Sequence, residues 1–347
     1  MCALDKCIPK NHIPYSGLEE YAMLTLTHPI FHDEAKARKH FEKLRWPNGP
    51  ICPHCGAYGD TIGKVVRKRK LTSKTTPEGK KHRPQRDGLY YCNYCDEQFT
   101  VTVGTVMERS HVPLNKWLMG FVLMASSKKG ISSKQLQRNL GVTYRTAWFL
   151  SHRIREAMRN PNAGPIGGQN KVVESDETFV GGSGTNVHRG KPAPKKHAVQ
   201  ALVERGGEVR AKHVADITAN TLRENLVTQA SRKSHLMTDE WPAYKGVGKE
   251  FSGHSSVKHT DGEYVRLGGF VHTQTVEGFF AILKRGVFGT FHSVSEAHLQ
   301  RYVDEFVFRY NNRIALGIDD TERANRAIEG IEGKRLTYKR TNKSQDA

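Results

Sequence analysis

The spacing of apolar and polar positions divides the chain into a helical first half and a strand-bearing second half. Residues 32–44 are strong helix formers with acidic residues early and basic ones late, which suits the helix dipole, and Trp46-Pro47-Asn48-Gly49 ends the segment. Residues 114–124 are rich in apolar side chains. After Lys128-Lys129-Gly130 come residues 132–140, a Gly141-Val-Thr break and residues 144–155, the outline of helix, glycine turn, helix. The stretch 160–168, Asn-Pro-Asn-Ala-Gly-Pro-Ile-Gly-Gly, predicts a flexible linker. Beyond it Val-Val and Phe-Val flank a polar centre in 171–182, as in a buried strand ended by glycines. Residues 197–203 and 209–214 around Gly206-Gly207 predict a hairpin, 218–230 a helix capped by Thr218, and 234–239 a short strand. Val276, Phe279, Phe280 and Leu283 form the apolar stripe of a helix over 272–286, with Thr275 as its expected cap, and an aromatic-bearing helix covers 298–310. Strand, hairpin, helix, strand, helix is a mixed α/β sheet.

Composition narrows the partners. With 347 residues and 37% hydrophobic content the chain can bury a real core, and Lys plus Arg exceed Asp plus Glu by 54 to 35, a formal charge of +19. That excess suits a polyanion such as nucleic acid. Apolar runs stay short of the roughly 18 residues that cross a bilayer, and the first 30 residues lack the order of a signal peptide, so a cytoplasmic, nucleoid-associated protein without membrane contact is expected. Four of the six cysteines form two Cys-x-x-Cys pairs, Cys52/Cys55 and Cys92/Cys95. In a reducing compartment such pairs hold metal, and four thiolates make a closed structural zinc site. His54 lies between two of the ligands, but Cys55 fits the spacing better. The pairs are 36 residues apart, and residues 64–86 hold ten Lys or Arg against one Glu. A solvated basic loop is the plain reading, with Lys68, Arg69 and Lys70 as phosphate contacts. The helix-turn-helix outline places Thr143, Tyr144, Arg145 and Trp148 towards DNA, although Trp148, Phe149 and Leu150 serve equally as core.

Three acids stand out. Asp176 lies inside the first strand of the second half, Asp239 ends another strand, and Glu277 occupies the first turn of the 272–286 helix. A buried carboxylate is costly without a partner or a metal. Three close together would repel unless divalent cations sat among them, and two hard ions about 3.5–4 Å apart, Mg2+ or Mn2+, are what in-line phosphoryl transfer uses. Strand alternation turns Glu177 and Glu240 to the opposite face, whereas Glu174 shares the parity of Asp176 and stays a candidate. Lys284 follows Glu277 two turns later on roughly the same face.

The order Cys-Pro-His-Cys, Glu-Ser-Asp-Glu-Thr-Phe-Val-Gly-Gly, Thr-Asp-Glu-Trp-Pro-Ala-Tyr, His-Thr-Gln-Thr-Val-Glu-Gly-Phe-Phe with Leu-Lys-Arg-Gly, and Phe-Arg-Tyr-Asn-Asn-Arg resembles bacterial insertion-sequence transposases of the ISXO2-like family, which place a zinc ribbon before a DDE domain. The resemblance covers roughly residues 30–325. It implies a ribonuclease-H-like sheet, a metal-binding triad of Asp176, Asp239 and Glu277, and DNA contact by Lys284, with Arg285 beside it. It also implies recognition of the element's terminal inverted repeats, joining to target DNA, and at least a dimer during synapsis. Gln274 stands where many members carry Asn, the third triad position varies among subgroups, and the basic insertion between the cysteine pairs is long. A DNA-binding regulator with an inactive α/β domain and a nuclease without strand transfer are the alternatives. The expected organisation is an amino-terminal segment over 1–30 that includes Cys2 and Cys7, a helix and zinc ribbon over 31–110, a helix-turn-helix-like region over 111–160, a linker over 161–170, the catalytic domain over 171–325 and a basic polar tail over 326–347.

Overall fold

The computed structural model describes residues 25–65, 87–181 and 196–337. Lys68, Arg69, Lys70, Cys2, Cys7 and most of the loop after residue 181 lie outside the described residues.

Helix α1 (Glu34–Arg45) begins where Asp33 Oδ1 accepts the N–H groups of Ala35 and Lys36 at 2.8 and 3.1 Å, which satisfies two donors that no helical carbonyl can reach. Strands β1 (Ile62–Lys64), β2 (Tyr90–Cys92) and β3 (Gln98–Phe99) make a small antiparallel ribbon. Three strands this short cannot enclose a core of their own. The rings of Trp46, Tyr90 and Phe99 therefore pack on one another and join Phe41 and Phe121 in a cluster shared with α2 (Leu114–Ser126), α3 (Ser133–Leu140) and α4 (Tyr144–Met158). Ser132 Oγ accepts from Gln135 N–H to start α3. Gly141 stops it at φ 57°, a left-handed conformation that costs glycine little, and Thr143 Oγ1 then accepts from Thr146 N–H to start α4.

Five strands follow: β4 (Val172–Val180), β5 (His197–Glu204), β6 (Val209–Val214), β7 (His235–Thr238) and β8 (Gly253–Ser256). Their order is β6-β5-β4-β7-β8, antiparallel among the first three and parallel from β4 through β7 to β8. α5 (Ala219–Gln229) and the short α6 (Tyr244–Gly248) cover one face, where they meet Val173, Leu202 and Leu236. The other face, carrying Val180, Val199, Ala201 and Val203, packs under α7 (Gln274–Gly286) and α8 (Glu296–Asn311). The period of two thus gives β4 two buried faces, and its acids must face helices on both sides.

The helical part and the sheet meet across α4 and α8. Glu305 is fully buried, with Arg155 Nε 2.6 Å from Oε2 and Arg309 Nη1 against Oε1, and Arg155 stacks 4.0 Å from the Tyr302 ring centroid.

The expected tail begins too early. Residues 320–329 form α9 (Asp320–Glu329), and Ala324, Ala327, Ile328 and Ile331 are buried in the same core as α1, α2 and α4. Glu332 pairs with Arg45 at 3.2 Å and Lys334 Nζ donates to Ala157 O at 2.9 Å, so the described residues to 337 return to the amino-terminal helices. The stripe escapes a reading by composition because two alanines and two isoleucines, at 324, 327, 328 and 331, carry it between charged residues.

Candidate functional site

In the ribbon, Cys52 Sγ lies 3.7 Å from Cys95 Sγ and Cys55 Sγ 3.6 Å from Cys92 Sγ, and all four sulfurs fall within 4.8 Å of one another. Zinc–sulfur bonds of about 2.3 Å in a tetrahedron place sulfurs about 3.7 Å apart, so the set fits zinc, with Cys55 rather than His54 as the second ligand. Both knuckles are built alike. Cys52 N–H bonds Ala57 O and Cys92 N–H bonds Glu97 O, and each pair is followed by a left-handed residue, Gly56 at φ 77° and Asp96 at φ 58°. Cys52→Ser is expected to lower bound zinc by about one ion per chain and to unfold the ribbon. Elemental analysis with circular dichroism checks this, and a ribbon that stays folded without metal would contradict it.

The sheet register brings the two aspartates together. β4 and β7 run parallel with Val172 beside His235, Val173 beside Leu236 and Glu174 beside Met237. Continued two places, past the end of β7 at Thr238, that register puts Asp239 level with Asp176 and on the same face. Glu277 reaches them from the first turn of α7, where its Oε1 lies 3.6 Å from His259 Nε2 and accepts from Thr273 Oγ1 at 3.2 Å. Burial raises Asp176 to about 6, the charges of Asp239 and Glu277 add to the rise, and His259 pulls the other way. Asp239 is also raised, chiefly by burial, with His259 again opposing. The three carboxylates therefore share one field. Their oxygens are more widely spaced than the cysteine sulfurs: among the described residues, the sets of three or more ligands within 4.8 Å are the four cysteines and His197, His213 and Glu296. An all-oxygen set lacking a lysine or arginine among the groups that shift Asp176 fits a hard divalent cation.

The neighbouring acids have other employment. Glu177 turns to the α6 face and accepts from the Tyr244 hydroxyl, and burial lifts it to about 7. Glu240 Oε1 accepts from Thr260 N–H at 3.2 Å. Glu174, which parity left open as a ligand, is wholly buried and fully engaged. Its Oε1 accepts from Arg205 Nε at 2.6 Å and Thr275 Oγ1 at 2.8 Å, and its Oε2 accepts the N–H groups of Thr275 and Val276 at 2.8 and 3.0 Å. It is the cap of α7, supplied by a strand one hundred residues upstream. Thr273, not Thr275, occupies the N-cap position, and its side chain makes no cap bond. A local motif search finds caps only among neighbours in sequence, which is why this one was missed. Since Glu174 and Asp176 point from the same strand to the same helix, the cap sets the height at which Glu277 meets Asp176. Glu174→Gln puts an amide N–H against those donors and weakens the Arg205 pair, with an expected loss of about 2–3 kcal/mol. Hydrogen exchange should accelerate at Thr275 and Val276; unchanged protection there would show that the cap does not hold the helix.

The expected DNA contacts are on the surface. Lys284 and Arg285 are exposed near the end of α7, and Arg285 Nε bonds the carbonyl of Ala281. Thr143, Tyr144 and Arg145 are exposed at the start of α4, with Lys134 Nζ 4.8 Å above the Tyr144 ring centroid. Trp148 is half-buried, with its ring packed on His152 and His298, while Leu150 is core. It lies one helical turn beyond Tyr144 but is claimed by α8, a partner invisible from α4 alone. Trp241 and Tyr264 are exposed beside Asp239 and His259, which sequence reasoning did not single out. A cleft of about 1000 Å³, lined by Arg210, Lys212, Asn311, Arg326 and Lys334, holds none of the triad. Among the described residues no helix is long and apolar enough to cross a membrane.

Comparison with known proteins agrees with both halves. Residues 32–62 match the transposase zinc-ribbon domain, and residues 167–311 match the ISXO2-like transposase domain. A protein described as an uncharacterized protein in transposable element ISH50 of Halobacterium salinarum is 28% identical over 295 residues, covering 80% of this chain and 91% of the relative. The sheet that holds Asp176 and Asp239, and α7 that holds Glu277, all fall inside the longer match. Residues 167–311 are thus similar to the ISXO2-like transposase domain and residues 32–62 to the transposase zinc ribbon, the two parts of the insertion-sequence transposases of the DDE type that the chain resembles.

Proposed function

We propose that the protein is the transposase of an insertion sequence, binding the terminal inverted repeats of its element and catalysing metal-dependent cleavage and strand transfer to target DNA. The observation that carries this is the parallel register of β4 and β7, which directs Asp176 and the Asp239 that follows β7 to one face, with the charges of Asp239 and Glu277 both acting on Asp176. The strand order β6-β5-β4-β7-β8, antiparallel then parallel, supports a ribonuclease-H-like sheet as the scaffold.

Asp176, Asp239 and Glu277 would hold Mg2+ or Mn2+, two ions in the full site. When bound, such ions lower the pKa of the attacking water or 3′-hydroxyl and neutralise charge on the leaving oxygen. The chain's own contribution is placement. The β4 and β7 backbones fix the two aspartates, the Glu174 cap fixes α7, and Thr273 and His259 orient the Glu277 carboxylate. Lys284 and Arg285 lie along the same helix for the phosphates that flank the scissile bond. Exposed Trp241 and Tyr264 offer faces on which bases displaced from a duplex can stack. The α3–α4 pair, with Thr143, Tyr144 and Arg145 at the head of its second helix, supports a helix-turn-helix reading of DNA beside the zinc ribbon. Joining two ends calls for two chains, so the synaptic complex is proposed to be at least a dimer, working where bacterial DNA is, in the cytoplasm.

Cleavage mapping with Mg2+ on duplexes carrying the native element ends tests the proposal. Nicks at the element boundary, followed by products joined to a target duplex, are expected. Binding without cleavage would instead support a regulator with an inactive α/β domain, and cleavage without joined product a nuclease.

A further inference from the structure

A second group of potential ligands lies away from the triad. His197 opens β5, His213 stands near the end of β6, and Glu296 is the first residue of α8. Their ligand atoms all lie within 4.8 Å of one another, with His197 Nδ1 3.6 Å from Glu296 Oε1. The two imidazole centroids are 5.8 Å apart with planes at 79°, so the rings converge from different directions rather than stacking. The two histidines share a sheet face, because His213 pairs across from Val199 and His197 is two residues before Val199.

The scaffold under them is fixed. Gln300, one turn after Glu296, accepts from His213 N–H at 2.7 Å and donates to Ala211 O at 3.3 Å, so the helix carrying the carboxylate is tied to the strand carrying one imidazole. Tetrahedral zinc with bonds of about 2.0–2.2 Å needs donor atoms roughly 3.3–3.6 Å apart, and the measured His197–Glu296 separation lies at that distance. Imidazole ligands suit zinc-class ions over magnesium.

We propose that His197, His213 and Glu296 form a divalent transition-metal site, occupied by Zn2+ or a similar ion, which cross-links β5, β6 and α8 and leaves one coordination position open. It is separate from the ribbon and from the triad. Asp176 pairs with Ala201, four residues along β5 from His197, which at about 3.4 Å per residue puts the two sites on the order of 14 Å apart.

The test uses the full-length protein loaded with zinc chloride and dialysed against excess Mg2+, so that hard oxygen ligands are occupied by magnesium. Elemental analysis should find about two zinc per chain in the parent and about one in His213→Ala and in Glu296→Gln. Cys52→Ser should also retain about one, the complementary loss. Added zinc should raise the Tm of the parent and of Cys52→Ser but not of the two site variants. Glu296→Gln changes an exposed residue by one atom, and circular dichroism shows whether each variant is folded. One zinc in the parent, two in a folded Glu296→Gln, or equal zinc-induced shifts in all proteins would overturn the proposal.

Discussion

Asp176→Asn and Asp239→Asn will each abolish Mg2+-dependent cleavage of element-end DNA, by on the order of 10³-fold or more, while leaving affinity for that DNA nearly unchanged. A carboxamide keeps the shape of the side chain but removes the charge that holds a hard cation. Several kcal/mol of transition-state stabilisation then disappears at a factor of ten per 1.36 kcal/mol. Binding is expected to survive because the proposed DNA contacts lie on the ribbon, α3–α4 and α7 rather than on the two aspartates. The Asp176→Asn substitution should also raise the Tm of metal-free protein at neutral pH. Burial lifts Asp176 to about 6 from an ordinary 3.8, so the fold favours its protonated form. Its ionised form costs stability at every pH above the raised value, and that cost fades as pH falls through it. A neutral carboxamide at this position carries no such cost. Cleavage on a gel, retardation of labelled DNA, and a melting curve in chelator separate the three effects. Cleavage equal to the parent's would sink the catalytic assignment, and a lowered Tm would indicate a structural aspartate instead.

The largest loss of stability is expected from Glu305→Ala, about 3–5 kcal/mol by urea unfolding, because it strands Arg155 and Arg309 as buried cations. Burial alone would raise the Glu305 carboxyl, but Arg309 and Arg155 together hold it below the ordinary range. A depressed carboxylate stabilises the fold above its unfolded pKa, and that contribution is lost as pH falls through the lower folded value. Parent stability should therefore drop below about pH 4, and Glu305→Gln should show a shallower drop. Replacing Arg155, Glu305 and Arg309 together by apolar residues of similar volume should recover much of the loss, since the cost lies in unpaired charge. A Glu305→Ala protein as stable as the parent would show that the α4–α8 junction rests on its aromatic packing alone.

Local chemistry made much of this protein legible in its sequence. Two Cys-x-x-Cys pairs announce zinc because their spacing itself presents both thiolates of a knuckle, and Gly141 between two amphipathic segments announces a helical turn because few other residues take its conformation cheaply. The apolar pairs flanking a polar centre in 171–182 and the segments on either side of Gly206-Gly207 foretold β4, β5 and β6. Asp176, Asp239 and Glu277 could be named because each is an acid in an otherwise apolar or helix-starting setting. Tertiary structure alone decided what their neighbours do. Glu174 and Asp176 have the same residue class, strand and parity, yet the first caps α7 and the second faces Asp239, because helix α7 arrives from a hundred residues away. Trp148 packs half-buried against α8, and the carboxy-terminal α9 returned to the amino-terminal core. Sequence determines which groups are available and the period on which they recur; which of them meet depends on contacts between segments far apart in the chain, and those exist only once it has folded.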